Sequence, residues 1–300
     1  MKRFTYLYYI LLFTGLGVQV QAQDALTMQD INFNRINYNS AYFAEKSEMF
    51  GASLTSTSGG GIQNTGQVNF LAYSTLQSAD LAIGIRMNSK YFGYLRTSNF
   101  ELNTAKKLQL TNNSILMASI GIGLQLTSLR TGQFNEYVDQ LDPIFENSEF
   151  PQYRFTFSFA LAYVWNEKLK LGISLPNFAK TESKFNLSYV FNSSYEFEAT
   201  DDLKFTPEIL VFGSDIKPFS GELNVRADYK ELLWLKLGYR TTQTFVAGMG
   251  VQLSTFEIGY SYNVWMQSYN VILPSTHNIN LTFRIPSEGL KKESKGKGLF

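Results

Sequence analysis

The chain has 300 residues, of which 17% are charged and 15% aromatic, with 18 Tyr and 25 Phe against 7 Pro. Charge is scarcer than the roughly 25% usual in soluble domains, and so many Tyr and Phe suit strands and interfaces more than a helical bundle. With no Cys and a single histidine, His277, the sequence excludes disulfides, thiolate metal sites, Cys nucleophiles, a lipid anchor on a processed Cys and a histidine-rich metal site; no cofactor is expected.

The first element reads as a secretory signal over residues 1–22. Lys2 and Arg3 form its basic start, "YLYYILLFTGLGV" its apolar region, and "VQA" ending at Ala22 its small-residue cleavage site. The apolar run falls well short of the roughly 20 residues that a spanning helix needs. Without Lys2 and Arg3, 24 of the 26 basic side chains remain against 25 acidic ones, a net charge near −1 that points to no nucleic-acid partner. Residues 23–46 follow as a pre-barrel periplasmic segment. Beyond them no stretch offers 18 or more consecutive apolar residues, so a passage through a membrane must use strands.

From residue 47 to 285 the chain alternates with period two. Leu81, Ile83, Ile85 and Met87 share one face against Ala82, Gly84 and Arg86. In "SILMASIGIGLQLTSL", Leu116, Ala118, Ile120, Ile122, Leu124 and Leu126 oppose Met117, Ser119, Gly121, Gly123, Gln125 and Thr127. Phe155, Phe157, Phe159 and Leu161 oppose Arg154, Thr156, Ser158 and Ala160, and the pattern continues through "SGELNVRADY", "LLWLKLGYR" and "NINLTFRI". About fourteen such segments are counted, most of them roughly 9 to 12 residues long, which fits a tilted membrane strand of about 9–11 residues better than a globular one of 5–6. Their centres fall near residues 52, 71, 84, 101, 121, 159, 172, 188, 208, 224, 236, 249, 259 and 281. The fourth, which runs into "KKLQLTNN", is the least regular.

The polar faces hold Gly, Ser, Thr and Asn with isolated charges of both signs: Arg86, Glu101, Arg154, Lys170, Glu208, Glu222, Arg226, Asp228, Lys236, Arg240, Glu257 and Arg284. Small residues mixed with balanced charges suit a crowded polar lumen. Glu222, Arg226 and Asp228, on one face of one strand, read either as part of a selectivity ring or as a mutually neutralising network. Tyr153, Tyr163, Tyr229, Tyr239, Tyr260 and Tyr262 sit near strand ends on the apolar side, where an amphipathic ring meets lipid headgroups. Connections alternate between short ones ("QSAD", "WNEK", "TDD", "YKEL", "LST") and long ones ("SGGGIQNT", "NSKYFGYLR", "PNFAKTES", "NVWMQSYNVILPST", and residues 130–152). The expected fold is therefore all-β: a transmembrane antiparallel barrel of about 14 strands in the outer membrane, with long extracellular loops and short periplasmic turns. Outer-membrane lipid is its surrounding partner. The pre-barrel segment or the 130–152 loop has room to fold inward.

The longest loop is acidic and carries the candidate partner-contact residues Asp139, Asp142, Pro143 and Phe145; its acids are too sparse for a calcium loop. "GGG" at 59–61 lacks the Lys-Ser/Thr of a phosphate loop. Pro286 begins a basic C-terminal tail, 286–300, expected to be a periplasmic extension. His277 has Ser275 and Thr276 beside it, but sequence neighbours are not a triad, and no catalytic residue is assigned. Two substitutions follow: Ile122→Arg, on the lipid face, is expected to block insertion, and Gly123→Ser, on the lumen face, to be tolerated.

Residues 139–285 resemble the PorP/SprF family of outer-membrane proteins associated with type IX secretion in Bacteroidota. The matching phrases are "DQLDPIF", "WNEKLKLGISLPNF", "LWLKLGYRTT", "FEIGYSYN" and "HNINLTFR". In "QDINFNRINYNSAYF", Asp30 and Phe33 fit the family's Asp-x-x-Phe, and Asn39, Ala41 and Tyr42 fit its Asn-Pro-Ala-Tyr, with Ser40 in place of Pro and the spacing contracted. The resemblance implies a non-enzymatic accessory role in secretion or surface anchoring, with a link to gliding motility. It implies as partners the secretion machinery, cargo or adhesins bearing a type IX sorting domain, and a periplasmic peptidoglycan-linked protein. A barrel with a polar interior also fits a passive channel or an apolar-solute transporter.

Overall fold

The structure is a computed structural model, and it describes residues 35–45, 48–59, 65–92, 95–129, 151–180, 185–214, 217–266 and 275–286. The signal, the loop residues Asp139, Asp142, Pro143 and Phe145, and the tail beyond residue 286 lie outside them.

Among the described residues there are fifteen strands: β1 (Glu48–Gly59), β2 (Thr65–Leu76), β3 (Leu81–Phe92), β4 (Leu95–Thr111), β5 (Ser114–Leu129), β6 (Gln152–Trp165), β7 (Leu169–Lys180), β8 (Phe185–Tyr195), β9 (Phe197–Thr200), β10 (Leu203–Ser214), β11 (Lys217–Tyr229), β12 (Leu233–Arg240), β13 (Thr244–Gln252), β14 (Phe256–Trp265) and β15 (Thr276–Pro286). β8 and β9 are two parts of one stave, interrupted at Glu196, and both pair with β10. Each stave pairs antiparallel with the next. β15 returns to β1, with Gly51 opposite Arg284 and Gly59 opposite Thr276, so fourteen staves close a barrel. Closure removes every sheet edge from the hydrocarbon layer, where an unpaired N–H or C=O has no water to bond.

All fourteen segment centres read from the sequence fall inside these strands. The irregular fourth segment is the longest of them, because "KKLQLT" continues as strand along β5 after its pairing with β3 ends at Lys106. Two stretches read as long loops are largely strand. "NSKYFGYLR" contains the end of β3 and the start of β4, and "PNFAK" belongs to β7. Polar residues such as Ser89 and Lys90 stand among Tyr91, Phe92 and Phe178 in these stretches, so period two alone did not mark them as strand. β7 changes register between Ser174 and Phe178, around Pro176, which has no N–H to give a ladder.

Which face is which follows from alternation. Phe155, Ile122 and Leu235 are 77, 60 and 60% exposed, whereas Thr244 and Asn278 are fully buried. Aliphatic and aromatic side chains point out of the wall, and Asn, Ser, Thr and charges point in, the inverse of a water-soluble fold and the pattern of a barrel whose outer solvent is lipid. Tyr153, Tyr229, Tyr239 and Tyr260 are exposed on the outer face.

At one end every connection is tight, at 77–80, 112–113, 166–168, 201–202, 230–232 and 253–255, and β1 begins and β15 finishes there; the other end mixes short connections such as 241–243 with the long ones. In two of these turns both central residues have positive φ, Asn166 and Glu167 at 50° and 59° and Lys230 and Glu231 at 53° each. The closing bonds are Lys168 N–H to the Trp165 carbonyl and Leu232 N–H to the Tyr229 carbonyl. This is the type I′ geometry that matches strand twist, built without glycine.

Candidate functional site

The lumen is occupied. Residues 35–45 lie inside the wall, in the half nearer the tight turns; the pre-barrel segment 23–46 was read as periplasmic, with room to fold inward. Ile36, Tyr38, Asn39, Ser40, Ala41, Tyr42, Phe43 and Ala44 are all buried. The segment is two single 3₁₀ turns, Arg35–Asn37 and Ser40–Ala44. Asn39 separates them in an extended conformation, and its side chain caps the second turn by accepting from Ala41 N–H at 3.0 Å. A run this short cannot sustain itself as a helix, so its order comes from the wall around it.

That wall holds it from several strands. Asn39 Nδ2 donates to the Leu161 carbonyl of β6 at 3.0 Å and lies 3.4 Å from the Ile173 carbonyl of β7. Ser174 Oγ donates to the Tyr38 carbonyl at 2.6 Å, and Arg86 Nη1 to the Asn37 carbonyl at 2.8 Å. Ser40 Oγ and Ser119 Oγ share a 2.7 Å bond, and Asn192 Nδ2 donates to Tyr42 Oη at 2.8 Å. Phe43 packs 5.2 Å from the Tyr73 ring, centroid to centroid, over Gly84, where a Cβ would stand 2.8 Å from its ring. Burial raises the Tyr38 phenol, with the negative charge of Glu208 acting in the same direction, and raises Tyr42 to about 12. Both hydroxyls therefore stay protonated.

The twelve charges named from the sequence all lie on the inner face, in clusters. Arg86 pairs with Glu101 at 2.7 Å, and Glu101 also accepts from Ser158 at 2.6 Å. Glu208 is shared by Lys236 at 3.5 Å, Arg35 at 3.4 Å and the Tyr38 hydroxyl at 3.3 Å. Lys170 pairs with Glu45. Arg240 donates to Glu222 at 2.7 Å, and Arg284 to Glu257 at 3.0 Å. Arg226 pairs with Asp228 at 2.8 Å and lies 4.7 Å from the Trp234 ring centroid. Arg154 bonds Gln152 at 3.2 Å, nearer the other end. Glu222, Arg226 and Asp228 thus belong to a neutralised network and form no ring of one sign. Across β14, β15 and β1, beyond the Glu257–Arg284 pair, uncharged side chains bond one another: Ser53 and Thr55 donate to Asn280 Oδ1 at 3.0 and 2.8 Å, and Asn278 donates to Ser261 at 3.1 Å.

His277 is on the outer face, sharing a 2.8 Å bond with Tyr260 Oη and lying 4.8 Å from the Tyr262 ring, centroid to centroid. Thr276, its neighbour in sequence, is buried on the opposite face. Gly123 corrects one expectation. A Cβ there would lie 2.6 Å from the Phe100 carbonyl and 2.6 Å from Thr156 Oγ1, so the space that alternation appeared to leave is filled by the next strands. The residues missed in the sequence are Arg35 and Tyr38 of the segment and Ser119, Ser174 and Asn192 of the wall that holds it. Among these, "RINYNSAYFA" carried a signal in its density of apolar and aromatic residues ahead of the first strand, which needs a core to enter.

The family model described as type IX secretion system membrane protein PorP/SprF matches residues 20–283. No curated protein matches the sequence. Among solved structures, the Pseudomonas putida toluene transporter TodX matches 89% of this chain and 94% of its own at 9% identity and a TM-score of 0.49. The Ralstonia pickettii toluene transporter TbuX matches 90% and 95% at 9% identity and a TM-score of 0.48.

Proposed function

The chain belongs to the PorP/SprF family of type IX secretion system membrane proteins, and from that premise we propose that it is a non-enzymatic accessory barrel of the outer membrane. In this reading it supports secretion or surface anchoring of cargo and adhesins through protein contacts. The tight-turn end faces the periplasm, where a peptidoglycan-linked protein is a candidate partner, and the long connections face outward. The observation that carries the reading is the occupied lumen. Residues 35–45 occupy one half of it, and the inner charges are spent on one another, as a scaffold requires and an open pore does not. On the outer face, His277 meets tyrosines and no nucleophile among the described residues.

Deletion of the gene tests the reading. Loss of surface display of particular cargo, with uptake of small solutes unchanged, is the expected outcome. Normal cargo display would remove the proposal, and steady conductance of the purified protein in planar bilayers would favour a channel.

A further inference from the structure

The wall treats residues 35–45 as a bound peptide. It reads the main chain, through Ser174 and Arg86 on two successive carbonyls, as peptide-binding proteins do. It reads sequence through Asn39, whose carboxamide donates to a main-chain carbonyl of the wall, and through the Ser40–Ser119 and Asn192–Tyr42 bonds. It is also cut to the shape of the segment. Besides Gly84 under Phe43, a Cβ on Gly172 would stand 2.7 Å from Asn39 Nδ2.

Charge accounting separates this arrangement from an ordinary core. Arg86 has Glu101, and Glu208 has Lys236, both within the wall. Removing the segment therefore leaves those charges paired, and only Lys170 loses a carboxylate, Glu45, at a position where its side chain is 19% exposed. Stranding a buried charge is the large cost of taking a piece out of a protein interior, and this wall avoids it.

We propose that the inner face of β3–β8 is a peptide-binding site whose resident ligand is residues 35–45, and that it takes a peptide containing Asn-Ser-Ala-Tyr-Phe when one is supplied in trans. The proposal goes beyond the secretion role and does not depend on it. It gives the barrel a receptor for a peptide of defined chemistry: an Asn carboxamide, a small residue two positions on, and two consecutive aromatics.

The test uses the full chain. Ala41→Arg places a long cation where the segment is fully buried and expels it from the wall. Ser40→Cys with Ser119→Cys, in a chain without other cysteines, locks it in place across hydroxyls 2.7 Å apart. A fluorescent peptide of residues 35–45 is titrated against each refolded protein, with heat-modifiable gel mobility reporting the closed barrel. Saturable binding is expected to Ala41→Arg, much weaker binding to wild type, and none to the oxidised double-cysteine protein until it is reduced. A peptide carrying Asn39→Ala is expected to bind about tenfold more weakly, the worth of one well-placed hydrogen bond. A folded Ala41→Arg barrel that does not bind, or binding undiminished by the oxidised lock, would overturn the proposal. So would failure of Ala41→Arg to form a barrel, since the segment would then be core and not ligand.

Discussion

The Glu222–Arg240 pair gives the sharpest test of how this lumen is stabilised. Both side chains are sealed, at 0% and 2% exposure, with Arg240 Nε donating to Glu222 Oε2 at 2.7 Å. Glu222→Leu leaves the guanidinium without its carboxylate in a site that water does not reach, and such one-sided removal costs about 3–5 kcal/mol. Arg240→Met is expected at the lower end of that range, because Glu222 keeps the 2.8 Å donor Asn224 Nδ2. The double variant removes both desolvated charges at once. Its methionine gains contact with the Phe212 ring, whose centroid lies 5.9 Å from the guanidinium carbon. It should lie within about 1 kcal/mol of wild type, or above it. The coupling energy from the cycle is then at least about 5 kcal/mol. The assay is urea unfolding of each variant refolded into lipid vesicles, followed by tryptophan fluorescence and checked by gel mobility. Single variants within about 0.5 kcal/mol of wild type would show the pair to be effectively hydrated, and a double variant as unstable as the two singles combined would refute the charge-balance reasoning.

On β5, Ile122→Arg is expected to cost roughly 2–4 kcal/mol and to lower the yield of inserted barrel in vesicle refolding, because the side chain points to lipid. Gly123→Ser, one residue on, is expected to destabilise in the same assay, because its Cβ meets a strand carbonyl at 2.6 Å. Lys230→Asn with Glu231→Gly should raise stability by about 1 kcal/mol in urea, since both positions have positive φ and their surface ion pairs are worth little. His277→Ala should leave barrel yield and cargo display unchanged, since it removes only an exposed bond to Tyr260 and a ring contact with Tyr262 on the outer face.

Strand positions and facing were legible because lipid outside and a crowded polar interior impose period two over long runs, as in Leu116 to Leu126. That residues 35–45 fold inward was left as one of two alternatives, because a segment with no period gives no direction, and its destination is set by wall residues scattered from Tyr73 to Glu208. Gly123 was misjudged for a related reason. Alternation says which way a residue points, but the room it finds depends on which neighbour stands opposite, and only the register between β4, β5 and β6 brings Phe100 and Thr156 there. The break at Glu196 left no mark, because Tyr195, Glu196 and Phe197 keep the alternation of aromatic and polar residues.

The seam between β1 and β15 sets an order of events. The last strand completes the wall against the first, so the cylinder cannot seal before the chain has been delivered as far as Pro286. Residues 35–45 stand immediately ahead of β1, at the opening side of that seam. They can enter sideways while the wall is still a curved sheet, and after sealing only through the mouth at the tight-turn end. A barrel that closed early would leave its leading segment only that mouth to enter by, so the rate of the final pairing sets which of the two routes the segment takes.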